Sequence, residues 1–305
     1  MIPYLEFRPL LDFGFVSIQA FGLLLGIGVM YGMSLCRNYG EKVGIDDDIF
    51  RFIGFRVFVF GFIGCHVFDT LFYEFDRFKE DPLLIFKIWD GIASWGGILF
   101  GGLAMIYYVS KMKLPGMKIA DTILYGFIPG FMFGRMGCTI THDHKGVATD
   151  FPLAFNYPVG SCEAADGAWI GLMDRMCVVT GPLPHHNLGF YDLILCFCLW
   201  MMVLFASRIK SRPPGTLLAI TALTYAPFRF FFEFYRPEAS DPRYWGFTPA
   251  QWLCILSVLA GLKLTVSLLK GKTRHEDSMD GKGVGAYAEK IRKMMQASAP
   301  KPKSK

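Results

Sequence analysis

Seven windows of roughly 20 residues, each dominated by apolar side chains, constrain this chain more than any other feature. They run over about 16–36, 52–72, 93–110, 119–136, 188–207, 216–235 and 250–269. About 20 helical residues cross a hydrocarbon core of about 30 Å, and a helix satisfies all of its own backbone groups there. The windows therefore predict an all-α, polytopic membrane bundle of about seven transmembrane helices. The second window is the most interrupted, with Arg51, Arg56, His66 and Asp69 in or beside it. The 305 residues are 53% hydrophobic and 19% charged with a mean hydropathy of +0.36, which excludes an ordinary soluble domain. Glycine recurs inside the windows, as in GLLLGIGVMYG and WGGILFGG, and small residues let membrane helices approach closely.

Connections carrying Arg37 and Lys42, then Lys111, Lys113 and Lys118, then Arg208, Lys210 and Arg212, alternate with less basic ones. The excess of basic residues places these connections in the cytoplasm, the N-terminus outside and the Lys-rich tail inside. No basic region precedes the first window and no small-residue cleavage site follows it, so it reads as a membrane segment rather than a cleaved signal. The expected organisation is one transmembrane domain over 1–270, with an irregular extracytoplasmic cap over 137–187, and a polar, disordered cytoplasmic tail over 271–305. The net charge of +5 comes largely from that tail, so nucleic acid is not an expected partner. Cys36, Cys65, Cys196, Cys198 and Cys254 fall in apolar runs as packed thiols. No disulfide framework is expected, with Cys162 and Cys177 the exception left open.

Charges inside the windows are the candidates for function. Arg135 closes the fourth window, while Arg229, Glu233 and Arg236 lie in or at the end of the sixth. Arg229 and Glu233 share one helical face. Arginine at mid-bilayer costs at least about 2.5–3.5 kcal/mol, so it faces a partner or a watery cavity. One reading is an Arg229–Glu233 helix clamp. The other starts from two arginines on separate helices with fewer acids nearby than they need. Guanidinium forks bind phosphate oxygens bidentately, so the surplus charge points to an anionic lipid headgroup.

The stretch FGRMGCTITHDHKG (133–146) adds His142, Asp143 and His144 beside Arg135. An imidazole near its reference pKa of about 6.5 can take a proton from a thiol at neutral pH, and an adjacent carboxylate orients the ring. The alternative is a solvated polar loop. His185 and His186 read as capping or interfacial residues, and His66 as a satisfied core histidine. Cys138, His142, Asp143, His144, His185 and His186 include zinc and iron ligand types, but no pair stands at an established metal-site spacing. No metal and no cofactor is expected.

Four motifs in this order, WDGIASWGG (89–97), FGRMGC…G (133–146), HHNLGFYD (185–192) and YAPFRFFFEFYR (225–236), make the chain over about 16–269 resemble the prolipoprotein diacylglyceryl transferase family. The resemblance implies an enzyme of the bacterial inner membrane. It would move the diacylglyceryl group of phosphatidylglycerol onto the cysteine thiol of a prolipoprotein signal peptide, leaving a thioether and releasing glycerol phosphate. Phosphatidylglycerol, prolipoprotein signal peptides and membrane lipid are the implied partners. By the same likeness Arg135, Gly137, Gly146, Glu233, Arg236 and the paired glycines Gly96 and Gly97 hold substrate. Arg229 and Tyr225 serve catalysis, and Asp121 matches an acid early in the fourth segment. The sequence departs from the family where Trp95 replaces a histidine, Phe21 a tyrosine, Cys138 and Thr141 asparagines, and Asp143 a glutamate. His142, Asp143 and His144 are the candidate substitute base. Rival implications are a non-catalytic relative that binds anionic lipid or lipoprotein precursors, and a related membrane enzyme acting on another lipid phosphate or using metal.

Overall fold

The computed structural model describes residues 1–4, 11–12, 17–18, 20–88, 91–157, 184–209, 211–237 and 240–271. The tail over 272–305, the central cap over 158–183 with Cys162 and Cys177, and Trp89 and Asp90 of the first motif lie outside these residues.

Every apolar window contains a helix. They are α1 (Ala20–Lys42), α2 (Asp47–Phe72), α4 (Ser94–Met112), α5 (Gly116–Thr141), α6 (Leu188–Ser207), α7 (Thr216–Phe232) and α8 (Pro249–Leu269). A short α3 (Phe75–Glu80) and a 3-10 turn over Pro82–Phe86 link α2 to α4. Among the described residues six helices are long and apolar enough to cross a bilayer, which makes the chain a polytopic helical membrane protein. The seventh, α4, has 19 residues, about 28 Å of helix, and its glycines, Trp95 and paired tyrosines dilute its hydropathy. Outward faces stay apolar, with Met30, Phe55, Phe205 and Leu269 exposed as lipid-facing side chains.

Helix pairing follows from glycine. Lipid offers no hydrophobic drive for helices to associate, so close packing must supply it. Along α1, Gly28 and Gly32 meet Gly130 and Gly126 of α5; a side chain would come within 2.5 Å of the Gly130 carbonyl oxygen at the first and 2.7 Å of the Gly126 carbonyl at the second. On α2, Gly61 and Gly64 meet Gly96, Gly97 and Gly101 of α4 in the same manner. Remaining buried surfaces of α6, α7 and α8 close around Leu195, Leu199, Val203, Leu217, Ala226 and Cys254.

The expected irregular cap instead contains a small sheet. Strands β1 (Ile2–Pro3), β4 (Lys145–Ala148), β5 (Phe155–Asn156) and β6 (Pro184–Asn187) lie in the order β1-β5-β6-β4, with β1 parallel to β5 and the rest antiparallel. A separate hairpin pairs β2 (Leu11–Asp12) with β3 (Ser17–Ile18). The β4–β6 pair ties the end of α5 to the start of α6: Leu188 N–H donates to the His144 carbonyl at 2.9 Å. Asn187 caps α6, its side-chain oxygen accepting from Phe190 N–H at 3.0 Å. This tie sets the C-terminal turn of one apolar helix beside the N-terminal turn of another.

Candidate active site

Arg135 sits in the last turns of α5, Asp192 in the first turns of α6, and Arg229 in the last turn of α7, so the three helix ends meet beneath the sheet. Asp192 Oδ2 lies 3.4 Å from Arg135 Nη1 and 3.5 Å from Arg229 Nε. Arg229 Nη1 is paired with Glu233, whose Oε1 is also 3.4 Å from Arg236 Nε. Arg236 Nη1 ends the series on Asp241 at 2.5 Å. Thr248 donates to the other Glu233 oxygen at 3.1 Å. Charges of alternating sign thus run unbroken from Arg135 to Asp241, and every side chain in the series is at least nine-tenths buried.

This series corrects one expectation. The arginines are not short of acid, because Asp192 and Asp241 meet Arg135, Arg229 and Arg236 alongside Glu233. Asp192 was readable as the only charged residue of a helix otherwise apolar from end to end. What distinguishes the site is its alignment. Arg135 Nε, Arg229 Nε and Nη1, Arg236 Nε, both Asp192 oxygens and Glu233 Oε1 are buried and make no hydrogen bond among the described residues, although ion-pair contacts surround them. An aligned guanidinium–carboxylate fork spans about 2.7–2.9 Å. The contacts to Asp192 are longer, so each arginine keeps donor capacity.

On its other side Arg135 reaches the stretch after α5. His142 has a left-handed backbone (φ 56°) and ends the helix, which turns the next residues back toward the bundle. His144 Nδ1 lies 2.6 Å from Asp143 Oδ1, and its Nε2 lies 3.4 Å from Arg135 Nη1. Burial alone would raise the Asp143 carboxyl, but the His144 ring, and behind it Arg135, hold it below the usual carboxylate range. Ser94 Oγ accepts from Arg135 Nη2 at 3.4 Å, and the guanidinium lies 4.6 Å from the Phe131 ring centre. His142 goes elsewhere: its ring stacks on Tyr4 at 4.6 Å, and its Nδ1 lies 3.2 Å from both the Tyr157 hydroxyl and Asn187 Nδ2. The two candidate histidines are therefore separated, and only His144 joins the arginines.

Other candidates find packing roles in this arrangement. Tyr225 lies between the rings of Trp95 and Phe131, one turn before Arg229. Gly96 and Gly97 belong to the α2–α4 seam; a side chain at Gly137 would come 2.7 Å from Phe21, and one at Gly146 would come 2.8 Å from the Tyr235 carbonyl oxygen and from His186. Close approach by protein atoms thus explains glycine at all four positions. His186 Nδ1 meets the Tyr191 hydroxyl at 2.9 Å, and His66 lies between the carbonyls of Gly91 and Leu84 at 3.1 and 3.0 Å. Asp121 belongs to a second polar cluster at the other end of α5, about 20 Å from Arg135. There it accepts from Arg212 at 2.6 Å and from the N–H groups of Gly215 and Leu218 at the start of α7.

One atom each from Cys138, Asp143 and His144 lie within 4.8 Å of one another, a set with metal-ligand chemistry. Arg135 Nη1 stands 4.0 Å from the Cys138 sulfur and 3.4 Å from His144 Nε2, so a guanidinium charge already borders that space. That charge opposes a divalent cation in the same space.

Fold and site together define a polytopic membrane protein that buries an arginine–carboxylate series under a small sheet, with an Asp–His pair on its first arginine. A family model for prolipoprotein diacylglyceryl transferase matches residues 8–267, and the chain belongs to that transferase family. Among its relatives is a phosphatidylglycerol–prolipoprotein diacylglyceryl transferase of Vibrio parahaemolyticus, 30% identical over 277 residues, 86% of this chain and 92% of the relative. A protein of the same name from Pectobacterium atrosepticum is 29% identical over 274 residues, 86% and 93% of the two chains.

Proposed function

We propose that this chain transfers the diacylglyceryl group of phosphatidylglycerol onto the cysteine thiol of prolipoproteins. One observation supports the reading beyond the family: Arg135 and Arg229, from different helices, converge on a single Asp192 oxygen without aligning to it. A phosphate brings more acceptor oxygens than that carboxylate and suits two guanidinium forks. As the bond between the glyceryl carbon and the phosphate oxygen breaks, negative charge gathers on the departing glycerol phosphate. Two preorganised, buried guanidinium groups stabilise that charge; loss of one such donor typically costs about 10²–10³ in rate.

His144 accepts the thiol proton. Arg135 directs an N–H at Nε2, so Nε2 carries the lone pair and Nδ1 carries the hydrogen that faces Asp143. When Arg135 turns to the phosphate, Nε2 is released to take the proton. The thiolate then attacks the glyceryl carbon, forming the sulfur–carbon bond as the carbon–oxygen bond breaks, and the electron pair leaves with glycerol phosphate. Glu233 and Arg236 hold Arg229 in place, and Tyr225 fixes the helix face from which Arg229 projects. In this reading the sheet caps the extracytoplasmic side of a bacterial inner membrane, with the N-terminus outside and the C-terminus in the cytoplasm.

A second reading, a relative that binds anionic lipid or lipoprotein precursor without turnover, gains support from Trp95, which packs against Tyr225 where the family places a histidine. Purified protein in phosphatidylglycerol vesicles, given a peptide bearing a signal-peptide cysteine, separates the two. A peptide heavier by one diacylglyceryl group, lost in Arg135→Ala and Arg229→Ala, supports the transferase. Retained phosphatidylglycerol without product supports the binding relative, and failure of both refutes the arginine site as a lipid site.

A further inference from the structure

A second cationic feature lies at the opposite end of α4 from Ser94, about 20 Å along the helix from the arginine series. Arg56 lies inside the second helix, nine residues beyond Asp47 at its start and hence about 14 Å along its axis. Helical side chains lean toward the N-terminus, and Arg56 Nη1 reaches back to donate to the Phe52 carbonyl at 2.9 Å. This sets the guanidinium about one and a half turns inside the helix, near the boundary between headgroups and hydrocarbon. Its carbon stands 3.5 Å from the Phe52 ring centre and 5.4 Å from that of Tyr108 on α4. The Tyr108 ring packs edge-on against Tyr107 at 5.0 Å. Lys111 then reaches the Tyr107 hydroxyl at 3.2 Å and stands 5.3 Å from its ring.

Neither cation meets a carboxylate among the described residues. Asp47, nine residues before Arg56 on the same helix, already accepts from Arg37 at 2.6 Å and Arg51 at 2.7 Å. Around them the surface is apolar and lipid-facing, with Phe55, Phe58, Leu103, Ile106 and Tyr107 exposed. A cation at this depth needs an anion, and bilayers supply one at that depth, the phosphodiester. Aromatic faces hold the cation's hydrophobic flank and leave its N–H edge free to donate.

We infer that Arg56 and Lys111, framed by Phe52, Tyr107 and Tyr108, form a site on the lipid-facing side of α2 and α4 for the phosphate of an anionic phospholipid. It is separate from the Arg135 site and independent of any turnover there. Delipidated protein titrated with phosphatidylglycerol and followed by native mass spectrometry tests it. Wild type is expected to retain one more anionic lipid than Arg56→Gln/Lys111→Gln, with affinity at this site falling about fivefold per cation removed. Arg56→Lys retains the lipid, and phosphatidylcholine does not compete for it. Equal lipid number and affinity in wild type and the double variant, or equal competition by phosphatidylcholine, overturns the site. Should the double variant fail to insert, a photoactivatable phosphatidylglycerol on unaltered protein decides: labelling of peptides containing residues 51–60 and 104–113 supports the site, and labelling confined to other helices overturns it.

Discussion

Asp192→Asn is the most informative single change, because it removes charge from the centre of the site while keeping shape and volume. At 3.4 and 3.5 Å, with an effective dielectric of about 20, each arginine is attracted to Asp192 by about 5 kcal/mol before desolvation is counted. Breaking a buried pair by neutralising one partner typically destabilises by about 3–5 kcal/mol, because the other charge stays buried and unpaired. Here two guanidinium groups are left facing each other. In phosphatidylcholine nanodiscs Asp192→Asn should therefore melt well below wild type. In phosphatidylglycerol the headgroup phosphate can take the place of the lost carboxylate, so the gap between variant and wild type should shrink to half or less. Thermal unfolding followed by tryptophan fluorescence in both lipids measures this. A gap of the same size in the two lipids would refute the argument that Asp192 stands where phosphate binds.

Three further outcomes follow from the same geometry. His144→Gln should slow turnover by about 10²–10⁴, the usual contribution of a general base, while His142→Gln should leave turnover largely intact and lower thermal stability through its lost contacts to Tyr157 and Asn187; initial rates and melting curves for both variants check this. Asp143 has a lowered folded-state pKa, so its contribution to stability is complete above the unfolded value of about 3.9 and lost as pH falls through the folded value. Wild type should accordingly keep a flat melting temperature from pH 7 to 5 and drop more steeply below pH 4 than Asp143→Asn. Gly130→Leu should prevent α1 from seating on α5, since even a Cβ there comes 2.7 Å from the Gly28 carbonyl; loss of the monodisperse peak in size-exclusion chromatography reports it.

Helices were legible in the sequence because bilayer thickness imposes one length and one polarity on every crossing segment. Pairing was half legible: glycines at 28, 32, 126 and 130 stand four apart, which marks a contact face but names no partner. The cap was not legible, since β1, β5 and β6 are two to four residues long, too short to show an alternating pattern. Arg135, Arg229 and Glu233 declared themselves by their cost in lipid. Asp192 carried the same signal within HHNLGFYD, but charge counted only near each arginine in sequence overlooks an acid on a third helix. Spacing also could not separate His142 from His144, because the left-handed backbone at His142, not the residue order, decides which ring turns inward.

In the proposed transfer, the acid balance of the site changes how phosphate recognition must work. Arg135, Arg229 and Arg236 face Asp192, Glu233 and Asp241, so no surplus positive charge draws an anion from a distance. Selection of the headgroup then rests on exchange of partners: the arginines leave a poorly aligned carboxylate for a phosphate that offers oxygens at fork geometry. Such exchange gains little from long-range attraction and much from fit, so affinity for an anionic headgroup should depend weakly on salt. The same balance gives Glu233 a purpose beyond neutralisation. Fixed between Arg229, Arg236 and the Thr248 hydroxyl, it holds Arg229 in position while Asp192, which accepts no hydrogen bond among the described residues, remains free to yield.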